Sequence, residues 1–262
     1  MKSVHLKLII IAGLLSLACT TKVSEWVLLN ALPNEYTLVY FHKDPLSEME
    51  KQQNSELENA IKPANIQFRS FQMKDANQAY YGLYYGQILF SRYNKVAELK
   101  NLISSPVRET IARELMAGKL CVMLYLKTGL KEKDDSGIQI VKEAIASSPF
   151  GHIIPVIELS RNDIEEKHFA SMLLHVETDL KDIQEPMLFG VFGRFKALEP
   201  LLGKGITDEN VDLMIGFLTA DCSCLIKDDL PGMDILYTND WENPIPALVN
   251  PILDANPSLM HQ

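Results

Sequence analysis

Residues 88–96 and 187–195 repeat one pattern, and that repeat narrows the folds open to this chain more than any other feature. The first stretch reads Ile88-Leu89-Phe90-Ser91-Arg92-Tyr93-Asn94-Lys95-Val96. The second reads Met187-Leu188-Phe189-Gly190-Val191-Phe192-Gly193-Arg194-Phe195. Each is an apolar run broken by a turn dipeptide, Asn94-Lys95 or Gly193-Arg194, and then resumed, which predicts a β-hairpin. A helix follows each hairpin. Ser105-Pro106 opens one, with Val107, Ile111, Leu115 and Met116 on one face. Thr207 caps the other, with Val211, Met214, Ile215 and Leu218 on one face. Ser or Thr at the cap and Pro in the first turn are the expected start signals.

The segments before each hairpin match in type. Residues 36–41 form a continuous apolar run that suits a buried strand, residues 45–61 read as a helix and residues 65–71 as a strand. Residues 76–85 give a weak second helix. Its tyrosines, Tyr80, Tyr81, Tyr84 and Tyr85, would pack on the sheet or offer a binding surface. In the second half, residues 120–126 read as a buried strand, 136–146 as a helix and 153–159 as a strand. Residues 164–180 read as an amphipathic helix, with Ile164, His168, Ser171, Met172 and His175 along one side.

Each half therefore reads β-α-β-α-β-β-α, an α/β class. This order resembles the thioredoxin fold, most closely in the second half. There Glu185-Pro186-Met187-Leu188-Phe189 matches the family's proline before the third strand, which is cis in thioredoxins, and Gly193 matches the glycine of its hairpin. Pro186 is thus the fold-marking proline, although a proline can also simply begin a strand. The first half has Gln87 at that position. The resemblance implies two tandem thioredoxin-like domains, residues 35–118 and 119–224, followed by an extended, Pro-rich C-terminal tail over 225–262. With Phe192-Gly193-Arg194, Gly203-Lys204-Gly205-Ile206 and Cys222-Ser223-Cys224, the whole chain also resembles a group of uncharacterised exported proteins of planctomycete-like bacteria. That likeness implies no known activity.

Residues 1–18 read as a signal peptide. Lys2 and Lys7 give a positive start, and the apolar run over 8–18 is shorter than the ~20 residues of a membrane span. Leu15-Ser16-Leu17-Ala18-Cys19 resembles a bacterial lipobox, in which the cysteine is lipidated and becomes the first residue. An ordinary secretory signal beside a chance cysteine is the alternative. The expected location is the periplasm or outer-envelope face, with membrane attachment through a lipid at Cys19. Removing Lys2 and Lys7 takes the formal charge from −9 to −11. Such an acidic chain is a poor ligand for nucleic acid, whose phosphates need a basic surface.

Thioredoxin chemistry lives where the first strand meets the first helix, where a Cys-x-x-Cys thiol gains from the helix N-terminus. Here the corresponding loops read His42-Lys43-Asp44-Pro45 and Lys127-Thr128-Gly129-Leu130, without cysteine. His42 could act as an acid, a base or a ligand, but a lone loop histidine is usually solvated. His168 and His175 are two helical turns apart, too far for the three- or four-residue spacing of helical metal ligands. The run Lys131-Glu132-Lys133-Asp134-Asp135 reads as a solvated loop. Gly203-Lys204-Gly205 reads as a turn, since a phosphate loop needs a longer frame. No hydrolase, metalloprotease or dinucleotide motif occurs, so nothing calls for an enzyme or a cofactor.

The chain has four cysteines. With Cys19 given to lipid and Cys121 in a predicted core strand, Cys222 and Cys224 are the closely spaced thiols that remain. Three readings stay open: a structural bridge, a redox pair, and a soft-metal site for copper or zinc. Asp221, Asp228 and Asp229 disfavour a thiolate there. Two ligands are too few to close a zinc site. Beyond them Pro231-Gly232 marks a turn, residues 233–237 can add a short strand, and the prolines after Trp241 favour a strap on the surface. The expectation is a lipid-anchored, exported binding or scaffolding protein for an envelope partner. The alternative is a thiol-disulfide or copper-handling protein acting through Cys222 and Cys224.

Overall fold

The computed structural model describes residues 22–75, 77–221 and 230–238. The signal peptide, Cys19, Cys222, Cys224 and the tail after Thr238 lie outside the described residues. Within them the chain is mixed α/β, with six α-helices and two sheets.

The first sheet follows the period-2 logic of its sequence. β1 (Tyr36–His42) buries every second residue, Tyr36, Leu38, Tyr40 and His42, as a strand must when one face meets a core. α2 (Glu48–Ile61) starts at a capping box in which Ser47 and Glu50 satisfy each other's backbone amides. β2 (Ile66–Gln72) lies parallel to β1. β3 (Tyr80–Tyr85) and β4 (Ile88–Tyr93) then form an antiparallel hairpin, giving the order β2-β1-β3-β4. Residues 80–85 are thus a strand and not the end of a helix. Tyrosine favours the pleated surface, and Gly86, at φ 58°, makes the turn that the sequence reading put at Asn94-Lys95. Those two residues lead instead into a 3₁₀ turn, Val96–Leu99.

α3 (Pro106–Met116) follows and packs on β5 (Cys121–Lys127) and β6 (Val156–Ser160) of the second sheet. Between these parallel strands runs α4 (Lys131–Ser147). The charge run 131–135 is its first turn and not a loop. The Asp134 carboxylate reaches back to the amides of Thr128 and Gly129, both at 2.9 Å, and so anchors the helix start. The expected helix over 164–180 is only α5 (Lys167–Leu173). A turn around Asp163 occupies its beginning, and tighter bonds from His175 to Met172 and from Val176 to Leu173 close its end. β7 (Met187–Phe192) pairs antiparallel with β5, turns at Gly193 as predicted, and returns as β8 (Lys196–Ala197) and β9 (Leu201–Leu202). α6 (Asp208–Thr219) is capped by Thr207, whose Oγ1 accepts from the Asn210 amide at 3.2 Å.

Two further segments complete the packing. α1 (Val23–Asn30), which precedes the first sheet in sequence, packs on α6 and β7. The Ser24 hydroxyl donates to the Leu218 carbonyl at 2.7 Å. β10 (Met233–Asp234) adds to β8, and Ile235, Leu236 and Tyr237 are buried. This stretch adds the short strand expected over 233–237 and continues into the core, while the strap expected after Trp241 lies outside the described residues. Tyr36 of the first sheet donates to the Asp234 carbonyl at 2.8 Å, while the Asp234 carboxylate pairs with Lys196 at 3.0 Å.

Arg108 holds the same junction from inside α3. It is fully buried, and it donates to Ser105 Oγ at 2.9 Å, to the carbonyls of Leu102 at 2.8 Å and Leu236 at 2.6 Å, and to the carbonyl of Asn101. Burial pulls its pKa down to about 10, which leaves it charged at neutral pH. His168 links α5 to the first half in a similar way. Its Nε2–H donates to the Glu98 carbonyl at 2.9 Å, so its Nδ1 accepts from the Tyr93 hydroxyl at 3.2 Å.

Arg108→Ala should lower the unfolding free energy by about 3–5 kcal/mol, because buried carbonyls lose their donors; urea titration measures this. Arg108→Lys should recover little, since one ammonium cannot reproduce the planar fork. His168 gives a pH signature. Burial holds its pKa at about 4, below the ordinary 6.5. The unfolded chain therefore takes up the proton first. Stability should be full above pH 6.5 and fall as pH drops towards 4, and His168→Gln should flatten that slope.

Candidate functional site

Both strand-to-helix junctions are closed by the protein's own carboxylates. At the end of β1, Glu50 accepts from the Ser47 amide at 2.9 Å and from the Tyr40 hydroxyl at 2.9 Å. These bonds, with that from the Ser47 hydroxyl, hold Glu50 below the usual carboxylate range. Burial, with Glu50 as a smaller cause, pushes the Tyr40 phenol up. His42 is buried beside Tyr40, and its Nδ1–H donates to the Asp44 carbonyl at 2.7 Å. The equivalent junction after β5 is wrapped around Asp134. The Thr128 hydroxyl donates to that carboxylate at 3.0 Å, and Tyr125 donates to the Asp134 carbonyl at 2.9 Å. A helix N-terminus offers amides to an anion. At the first junction Glu50 accepts from the N-cap amide of Ser47, at the second Asp134 accepts from the loop amides of Thr128 and Gly129 before the helix, and no thiol stands at either.

Beside the second junction lies an open cleft of about 680 Å³, a size that suits a ligand or a peptide segment. Its apolar wall is Ile140, Pro186, Leu202 and Ile206, with Lys133 and Lys204 bringing positive charge. The Pro186 loop is held firmly. Arg161 donates to the Ile183 carbonyl at 2.7 Å and the Glu185 carbonyl at 3.3 Å, and the Gly203 amide donates to the Pro186 carbonyl at 2.9 Å. The Glu185 carboxylate pairs with Lys133. Among the described residues no peptide bond is cis, that before Pro186 included. Lys204 forms no ion pair among the described residues, and it is the charge most open to a ligand in this cleft.

The other residues singled out from the sequence do not converge. Cys121 is the first residue of β5, fully buried, with its thiol pushed up to about 12 by burial. His168 faces Tyr93 and Glu98. His175 lies beyond the end of α5, donates to the Ser171 carbonyl at 2.7 Å and meets Phe90 edge-on at 4.5 Å. Among the described residues no group of three or more His, Cys, Asp or Glu could hold a metal ion. Gly203–Gly205 is a 3₁₀ turn as expected, and it forms one wall of the cleft. The sequence reading did not assemble Ile140, Leu202 and Lys204 into a site. They come from different elements: the pairing of β9 with β7 brings Leu202 and the turn after it to Pro186, and α4, which carries Ile140, packs against that turn.

No helix among the described residues is long and apolar enough to cross a membrane. Cys121 should resist iodoacetamide in the native protein and react only after unfolding in denaturant, as mass spectrometry would read. Compared with known proteins, the chain matches no family model and no curated protein.

Proposed function

We propose that this chain is an exported, lipid-anchored protein of two tandem thioredoxin-like units that binds or scaffolds a partner at the cell envelope. Each sheet carries the strand order second, first, third, fourth, with the first pair parallel and the rest antiparallel. That arrangement supports the tandem reading. The first unit departs from it by lacking the second helix, and the second by its trans proline. Export and lipidation rest on the residues of the leader and Cys19.

The observation that favours binding over redox work is the carboxylate at each strand-to-helix junction. An activated thiolate would need a cysteine at the helix start and no carboxylate crowding it. Asp134 and Glu50 engage amides there, and cysteine is absent. The Pro186 cleft then serves as a docking groove for an extended segment, with Lys204 reading an acidic group on the partner.

The decisive experiment uses protein isolated from the envelope. Cys19→Ser should abolish palmitate labelling and release the protein from membranes. Changing Cys222 and Cys224 together to Ser should leave envelope disulfides and bound copper unaltered, while Lys204→Glu should abolish cross-linking to the partner. Loss of client disulfides or of copper in the double variant would instead assign the activity to the thiol pair.

A further inference from the structure

Among the described residues, one face of the first sheet is left uncovered. Between β2 and β3 no helix lies among the described residues, whereas α5 lies in the corresponding crossover of the second half. β1 accordingly alternates buried and half-buried residues, while β5 is buried on both faces up to Leu126. The register places Arg69, Val39, Gly82 and Arg92 in one row across the four strands of this face. Over Gly82 the rings close in: a Cβ there would stand 2.9 Å from the Tyr84 ring and 3.3 Å from that of Phe41. Phe41 stacks on Tyr80 at 4.8 Å, and Phe71, 56% exposed, meets Phe41 edge-on at 5.9 Å.

The two arginines mark the ends of this aromatic floor. The Arg92 guanidinium lies 3.6 Å over the Tyr80 ring. Arg69 donates to the Gln67 side chain at 3.1 Å. Among the described residues neither forms an ion pair with a carboxylate. In a chain of formal charge −9, this patch of local positive charge on exposed aromatic surface is built for an anionic partner.

We propose that this face docks an extended acidic segment of a partner protein, with carboxylates at positions i and i+4 and an apolar side chain at i+2. The spacing carries the motif. Three strand separations put the row's ends about 14 Å apart. In an extended segment, residues i and i+4 share a face and lie about 13 Å apart. Residue i+2 then rests on the rings over Gly82. Aromatic residues and arginine are the side chains that protein interfaces favour. A flat face gives a small molecule nothing to be enclosed by. Nucleic acid would need more phosphate contacts than two arginines supply. A second copy would set arginine against arginine across a two-fold axis, between chains of like net charge.

NMR titration of the full chain tests this. The probes are the peptide Ser-Glu-Ser-Tyr-Ser-Glu-Ser, a version with both Glu replaced by Lys, and a version with the two Glu adjacent. Shifts from the first peptide should centre on Val39 and Gly82. Affinity should fall about tenfold in Arg69→Ala and again in Arg92→Ala, both surface changes that leave the fold intact. The lysine peptide should not bind, and the adjacent-Glu peptide should bind more weakly. Lys204→Glu should change nothing, which separates this face from the Pro186 cleft. Equal binding of the lysine peptide, indifference to both arginine changes, or shifts elsewhere would overturn the proposal. Peptide-free self-association that disappears in Arg92→Ala would overturn it in favour of a second copy.

Discussion

Arg108 is the constraint on which the architecture depends. A guanidinium with no exposure must spend its donors on fixed acceptors, because an unpaired buried charge costs several kcal/mol. It takes them from three different places: the loop after the first sheet, the cap of its own helix, and the Leu236 carbonyl far along the sequence. None of these acceptors can shift without leaving a donor unmet. The carbonyl of Leu236 is fixed in turn by neighbours that Tyr36 and Lys196 hold. A local cation thus locks the first sheet, α3 and the return segment into one arrangement.

The repeat in the sequence describes two similar units, but the packing does not keep them apart. α3 follows the first sheet yet packs on the second. α1 precedes the first sheet yet also packs on the second. His168 of the second half donates to the first half, and Tyr93 returns a bond. The buried residues form one continuous apolar cluster. Around this shared core, the far face of the first sheet lacks the helix that the second half carries at the corresponding crossover, among the described residues.

Much of this was legible from local pattern. The run at β5, the hairpin after β7, the start of α3 at Pro106 and the Thr207 cap of α6 are set by short-range rules, and the structure follows them. The errors share a cause. The tyrosines at 80–85 fit either periodicity until Gly86 fixes a hairpin. The charges at 131–135 look solvated until Asp134 is seen to bond back to the loop before it. Residues 233–237 read as a short strand, but not as core, because their partners, Asn65, Tyr36 and Arg108, lie far away in sequence. The Pro186 cleft was hidden for the same reason. The bare face left one readable trace, a β2-to-β3 crossover too short for a helix.

The placement of α1 and of residues 230–238 has a consequence for how the molecule is made. Ser24 bonds to Leu218, and Tyr36 bonds to Asp234. Segments made early close on segments made some two hundred residues later, so this part of the core waits for them. Such distant pairings are slow to form because the loop entropy is lost before the contacts form. The described core is therefore complete only once the chain has been made as far as Thr238.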